Sequence, residues 1–126
     1  MTAGIILLNF GEPDEATPEA VIPFLERIFL INASLEGKPG RAEARRRSRE
    51  LAERRAPGLI AEYEAIGGSP LNRQAAQQAE TLAAALRRRG HDVRTYVGMQ
   101  FTEPSIREAV ERARSEGVDF LVGLPV

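Results

Sequence analysis

The 126-residue chain predicts an α/β layer fold: a parallel sheet with helices on its faces. Three observations carry this. Gly4–Asn9 and Phe120–Val126 are short apolar runs without polar alternation, as strands covered on both faces require. A further strand-like run, Asp92–Gly98, stands between them. The intervals separating these runs hold amphipathic stretches of helical length, so the connections are crossovers and not hairpins. Right-handed crossovers then place the first strand in the middle, in the order 2-1-3, and predict that Gly4–Asn9 is almost wholly buried.

Each element has its own signal. Gly4–Asn9 is rich in Ile and Leu and ends at Gly11 and Pro13. Thr17 can cap a helix whose first residue is Pro18. Val21, Phe24, Leu25, Ile28 and Phe29 then share one face, with Pro23 inside the run as a point for a kink or a later start. Residues 31–40 (INASLEGKPG) read as a surface loop with an apolar first part. From Arg41 to Arg55 there are seven arginines, interspersed with Glu43, Glu50 and Glu53. The favoured reading is a solvated helix laced with i,i+4 ion pairs; the other is a face for a polyanion. Leu59, Ile60, Tyr63 and Ile66 continue a helical stripe to Gly67 and Gly68.

Ser69-Pro70 opens the next helix, with Ser69 as cap and Leu71, Ala75, Ala79, Leu82 and Leu86 inside, and Gly90 closes it. In Asp92–Gly98, Val93, Thr95 and Val97 alternate with Arg94 and Tyr96. Pro104 opens a helix with Ile106, Ala109, Val110 and Ala113 on its inner side, ended by Gly117. Residues 1–126 thus form one α/β domain. Because the chain stops on a strand, it is expected to be the front part of a larger protein, with an open sheet edge at Phe120–Val126.

Composition narrows the function. Apolar residues make up 43% and charged residues 28%, as in ordinary globular domains. The net charge of −1 gives no reason to expect nucleic acid as a partner. Without cysteine there is no disulfide, thiolate nucleophile or cysteine-held metal, which fits the cytoplasm. The N-terminal apolar run breaks at Asn9 and lacks a basic flank, so it is a strand and not a leader. Peripheral membrane association stays open.

In open parallel sheets ligands lie beyond the carboxyl ends of the strands. Here those ends are Asn9–Pro13 and Gly98–Phe101, and neither is a dinucleotide or phosphate fingerprint. The only histidine, His91, sits at the amino end of the second strand and reads as an exposed turn residue. No catalytic residue and no metal site emerge. The stretch IGGSPL, residues 66–71, is either a helix–helix corner or a ligand mouth. Its glycines allow positive φ and leave room for close approach, and Tyr63 and Arg55 lie upstream on the same helical run.

Three stretches now fall together: LLNFGEPDEATPEAVIPFLERIF, RRAPGLIAEYEAIGGSPLNRQAAQQAETL and YVGMQFTEPSIREAVERARSEGVDFLVGLPV. In this order they resemble the N-terminal half of ferrochelatases, over nearly the whole chain. The resemblance implies a chelatase-like (flavodoxin-like) domain, one of two that enclose a porphyrin. It also implies insertion of ferrous iron into that porphyrin, late in haem biosynthesis, with iron and porphyrin as substrates and no cofactor in this chain. The family's Arg-x-Pro matches Arg55-Ala56-Pro57, its tyrosine before the glycines matches Tyr63, and its serine after them matches Ser69. In the family all three contact the porphyrin, and the resemblance implies the same role for Arg55, Tyr63 and Ser69. Phe10 falls where the family faces the macrocycle with Tyr or Met. These residue types match the chemistry of a porphyrin, with arginine for a propionate, aromatics for the ring face and hydroxyls for polar edges.

Two departures stand out. Many members read IGGGSP where this chain has IGGSP, a tighter corner. Members with a basic residue late in the first helix would carry it near Phe29, so that contact is absent here. The family's metal-site histidine and glutamate belong to the second, C-terminal domain, the expected partner. Residues 1–126 are therefore expected to supply one wall of the cleft and to be inactive alone. A small cobalt- or sirohydrochlorin-type chelatase would show His-Gly after the first strand, where this chain has Phe10-Gly11. A non-enzymatic module that binds porphyrin or a partner is the alternative of a different class.

Overall fold

The computed structural model describes residues 1–35 and 40–126. Seven elements follow in the order β1 (Ala3–Asn9), α1 (Pro18–Leu35), α2 (Arg41–Ala65), α3 (Leu71–Arg88), β2 (Val93–Met99), α4 (Ile106–Ser115) and β3 (Phe120–Pro125). The chain divides into two compact units: Met1–Gly11 with Pro70–Val126, and Glu12–Ser69. Among the described residues no helix is long and apolar enough to cross a membrane.

The first unit is a parallel sheet in the order β2-β1-β3. Register runs from Ala3 opposite Val93 to Asn9 opposite Met99, and from Ala3 opposite Phe120 to Leu8 opposite Pro125. This is the 2-1-3 order that right-handed crossovers require. Ile6 and Tyr96 pack with Ala109 and Ala113 of α4, backed by Leu8 and Val118. Small residues on α3 and α4 (Ala75, Ala79, Ala83, Ala109, Ala113) are buried, which lets these helices lie close to their surroundings. α4 begins with a full capping box: the Glu108 backbone N–H donates to Ser105 Oγ, and the Ser105 N–H to the Glu108 carboxylate.

The centre of the sheet is less covered than its apolar sequence predicts. Gly4, Ile6 and Leu7 are buried, but Ile5, Leu8 and Asn9 are only partly so. The cause lies beside them: β3 is exposed throughout, with Leu124 at 39% and Phe120 at 47%. Conversely Tyr96, which simple alternation puts on the polar side, is buried at 6% exposure. Its hydroxyl donates to Glu116 at 2.7 Å, and Arg94 and Arg112 hold the same carboxylate at 3.3 Å each. On the far edge of β2 the Arg87 guanidinium donates twice to the Val93 carbonyl.

Burial and the Glu116 carboxylate push the Tyr96 phenol up to about 12, from an ordinary value of 10.0. Because the folded value is the higher one, this contribution to stability is whole below pH 10 and is lost as pH rises to about 12. Tyr96→Phe should therefore flatten the alkaline limb of a stability–pH profile. It should cost about 1 kcal/mol at neutral pH, discounted for the partial exposure of Glu116. Urea melts across that pH range would show it, and an unchanged alkaline limb would contradict it.

In the second unit, α1 and α2 pack along Val21, Leu25, Ala52 and Ala56, with Ile22, Phe29, Leu59 and Ile60 around them. The α2 side of this contact is the stripe Ala44, Ser48, Ala52, Ala56, spaced at i,i+4. Thr17 caps α1 as expected, its Oγ1 accepting from the Ala20 N–H at 3.3 Å. Pro23 and Pro57 both lie inside helices that continue through them. The predicted loop at 31–40 is corrected in part, because α1 runs to Leu35 through INASL, where no proline or glycine stops it. Residues 36–39 of that loop lie outside the described residues.

Candidate functional site

The carboxyl ends of β1 and β2 stay joined beyond the strands. The Gln100 N–H donates to the Asn9 carbonyl and the Phe101 N–H to the Phe10 carbonyl, both at 2.9 Å. The Asn9 side chain accepts from the Phe10 N–H at 2.8 Å. These bonds bring two rings together: Phe10 and Phe101 stack with centroids 6.1 Å apart and an interplanar angle of 21°. Phe10 is 65% exposed, so one face of its ring is open to solvent. Phe10 is a candidate from the sequence, whereas Phe101 is not. The signal for Phe101 is its place at the end of β2, just past the Asn9–Met99 pair.

Gly11 turns the chain out of this end with φ 83°, and it is buried. A Cβ there would overlap Thr102 Oγ1 and lie 3.1 Å from the Met99 Cβ. Gly11→Ala should thus lose about 2–4 kcal/mol, through left-handed strain together with displacement of packed neighbours. A chemical melt measures this, and a loss below about 0.5 kcal/mol would refute the role of Gly11.

The other three candidates, Arg55, Tyr63 and Ser69, belong to the second unit, and each is described in that frame. α2 is continuous through Arg55 and Tyr63. Eight residues of helix separate the two Cα atoms by about 12 Å along the axis and turn them roughly 80° apart. Arg55 reaches toward Glu62 at 3.6 Å, with both side chains well exposed. Tyr63 is half-buried and bonded to Glu12. Desolvation first, then the charge and hydrogen bond of Glu12, raise its phenol above the ordinary range, so it is a neutral donor at physiological pH. Glu12 was not among the expected site residues; it lies 51 positions before Tyr63 and no local pattern links them.

The glycine corner is a Schellman motif. The Gly68 N–H donates to the Tyr63 carbonyl at 2.8 Å and the Gly67 N–H to the Glu64 carbonyl at 3.2 Å. Both glycines have positive φ, 76° and 92°, and both have open space where a Cβ would stand. The expected cap is corrected: Pro70, not Ser69, is the N-cap of α3, and the Pro70 carbonyl takes the Gln74 N–H. Proline has the helix-like φ already and brings no side-chain acceptor, so the helix starts one residue later than Ser69 would set it. His91 is exposed in the turn before β2, at the end of the strand remote from Phe10 and Phe101.

An open parallel sheet, crossover helices and a stacked aromatic pair beyond the strand ends define an α/β protein of the open-sheet class, in which ligands bind at the carboxyl edge. The sequence profile of the ferrochelatase family matches residues 2–126, and the chain belongs to that family. It is 38% identical over 125 residues to the ferrochelatase of a Synechococcus species, strain JA-3-3Ab, and 37% identical over 124 residues to that of Gloeobacter violaceus. Those alignments cover 98% of this chain and 36% and 37% of the relatives, so the chain spans about a third of the length of the curated relatives it matches.

Proposed function

We propose that this chain forms the N-terminal wall of a porphyrin cleft in a protein that inserts ferrous iron into porphyrin. The observation that carries the reading is the stack of exposed Phe10 on half-buried Phe101 at the carboxyl end of the sheet, in a chain of the ferrochelatase family. Two nearly parallel rings offer a flat apolar surface of the kind a macrocycle face stacks on. Arg55 supplies a guanidinium whose ion pair with Glu62 is long and exposed, so a propionate can replace that partner at little cost. The Tyr63 phenol is bonded to Glu12, and the Tyr63 carbonyl takes the Gly68 N–H of the glycine corner. Ser69 adds a hydroxyl at the same corner. Phenylalanine at position 10 has no metal-ligating atom, so its part is apolar contact and not metal delivery.

Ferrous iron and porphyrin are substrates in this reading, and the remaining groups of the cleft come from sequence beyond this third of the family length. The test is iron insertion by a protein that joins this chain to a ferrochelatase C-terminal region. Turnover that falls when Phe10→Asp puts a charge on the macrocycle face supports the reading. Full turnover with Phe10→Asp removes its central observation. Porphyrin bound tightly without any metal insertion would instead favour a non-enzymatic binding module.

A further inference from the structure

We propose that the cleft between α1 and α2 is a binding site for a phosphate group. The cleft encloses about 490 Å³, and its lining includes Arg27 of α1 and Arg45, Arg46 and Arg49 of α2. Among the described residues of the lining the one carboxylate is Glu26, which Arg49 holds at 3.1 Å. The arginine run is not the ion-pair ladder that its sequence favoured. Among the described residues its single i,i+4 pair is Arg49 with Glu53, and Arg45 and Arg46 have no carboxylate within ion-pair distance. Their charge is left to solvent or to a ligand.

The rest of the lining fits the same occupant. Ser48 is only 2% exposed yet borders the cleft, where a hydroxyl can donate to an anion. Leu30 and the arginine stems give apolar walls under a charged rim. A phosphate presents several acceptor oxygens with up to two charges, and planar guanidinium forks match that geometry better than they match a chloride or a lone carbonyl. A nucleic acid is less well served, because Glu43, Glu50 and Glu53 interrupt the positive face along α2 and the cleft is the size of a small molecule. This inference is independent of the porphyrin reading, and its test contains no porphyrin.

Two probes separate the sources of a phosphate group. Pyrophosphate is titrated calorimetrically into the protein at low salt, and the protein is co-sedimented with phosphatidylcholine vesicles with and without phosphatidylglycerol. Each is repeated with Arg27→Ala/Arg45→Ala, which removes one exposed guanidinium from each helix, and with Arg107→Ala on the exposed face of α4 as a charge control. Pyrophosphate binding weakened at least about tenfold by the double substitution, and little by Arg107→Ala, supports a soluble phosphorylated ligand. The same pattern confined to the anionic vesicles supports a lipid headgroup. Arg45→Lys, which keeps the charge and loses the fork, should fall between, and it serves if the double variant folds poorly. Binding of neither probe overturns the proposal, as does equal weakening by Arg107→Ala.

Discussion

Residues 1–126 on their own should insert no ferrous iron into a porphyrin. Metal insertion needs a base that accepts the pyrrole protons and a donor that delivers the metal. The only histidine in the sequence, His91, stands before Val93 at the amino end of β2, whereas the Phe10–Phe101 stack lies beyond Met99. A seven-residue parallel strand puts these ends roughly 20 Å apart. Among the described residues no three His, Cys, Asp or Glu side chains are grouped to hold a metal. Glu12, the carboxylate nearest in sequence to Phe10, is engaged by Tyr63. Absorbance assays of metalloporphyrin formation should therefore read background for the short chain and turnover once the C-terminal region is joined. Turnover by the short chain would mean that it holds its own base and metal donor, and the half-cleft reading would fail.

Arg55→Ala in the joined protein should weaken porphyrin binding about ten- to hundredfold, the worth of one charged hydrogen-bonded contact of about 1.5–3 kcal/mol. The loss should appear in affinity more than in kcat, because a propionate is remote from the reacting nitrogens and is held alike before and during insertion. Tyr63→Phe keeps the ring and removes only the hydroxyl, so its effect should be smaller than that of Tyr63→Ala. Glu62→Gln should tighten binding slightly, since Arg55 then loses its exposed competitor at 3.6 Å. Fluorescence quenching of the porphyrin measures all four. Unchanged affinity in both Arg55→Ala and Tyr63→Ala would take the rim contacts out of this part of the protein.

Where a feature depends on neighbours in the chain, the amino-acid sequence alone determined it. The apolar runs at Gly4–Asn9 and Phe120–Val126 became β1 and β3, because short runs rich in Ile, Leu and Val without helical periodicity favour extended backbone, whether or not they end up covered. Crossover handedness then left one order for three strands, and the sheet has it. Gly67, Gly68 and Gly90 ended their helices through positive φ, a backbone property legible from residue type. Thr17-Pro18 began α1 for the same local reason.

The tertiary structure decided what depends on distant partners. Phe101 joins Phe10 only because β1 and β2 pair in the register of Asn9 with Met99. Glu12 meets Tyr63, and Tyr96 is drawn inside by Glu116, through contacts that no periodicity encodes. The helix start moved from Ser69 to Pro70, and α1 outran its predicted end, because competing local preferences there differ by little and packing settles them. The arginine run shows the same limit most plainly. Sequence spacing offered i,i+4 pairs, but the fold set Glu26 of α1 against Arg49 and left Arg45 and Arg46 beside an open cleft. Charge pairing between exposed side chains is worth too little for spacing alone to impose it, so the neighbouring helix has the deciding role.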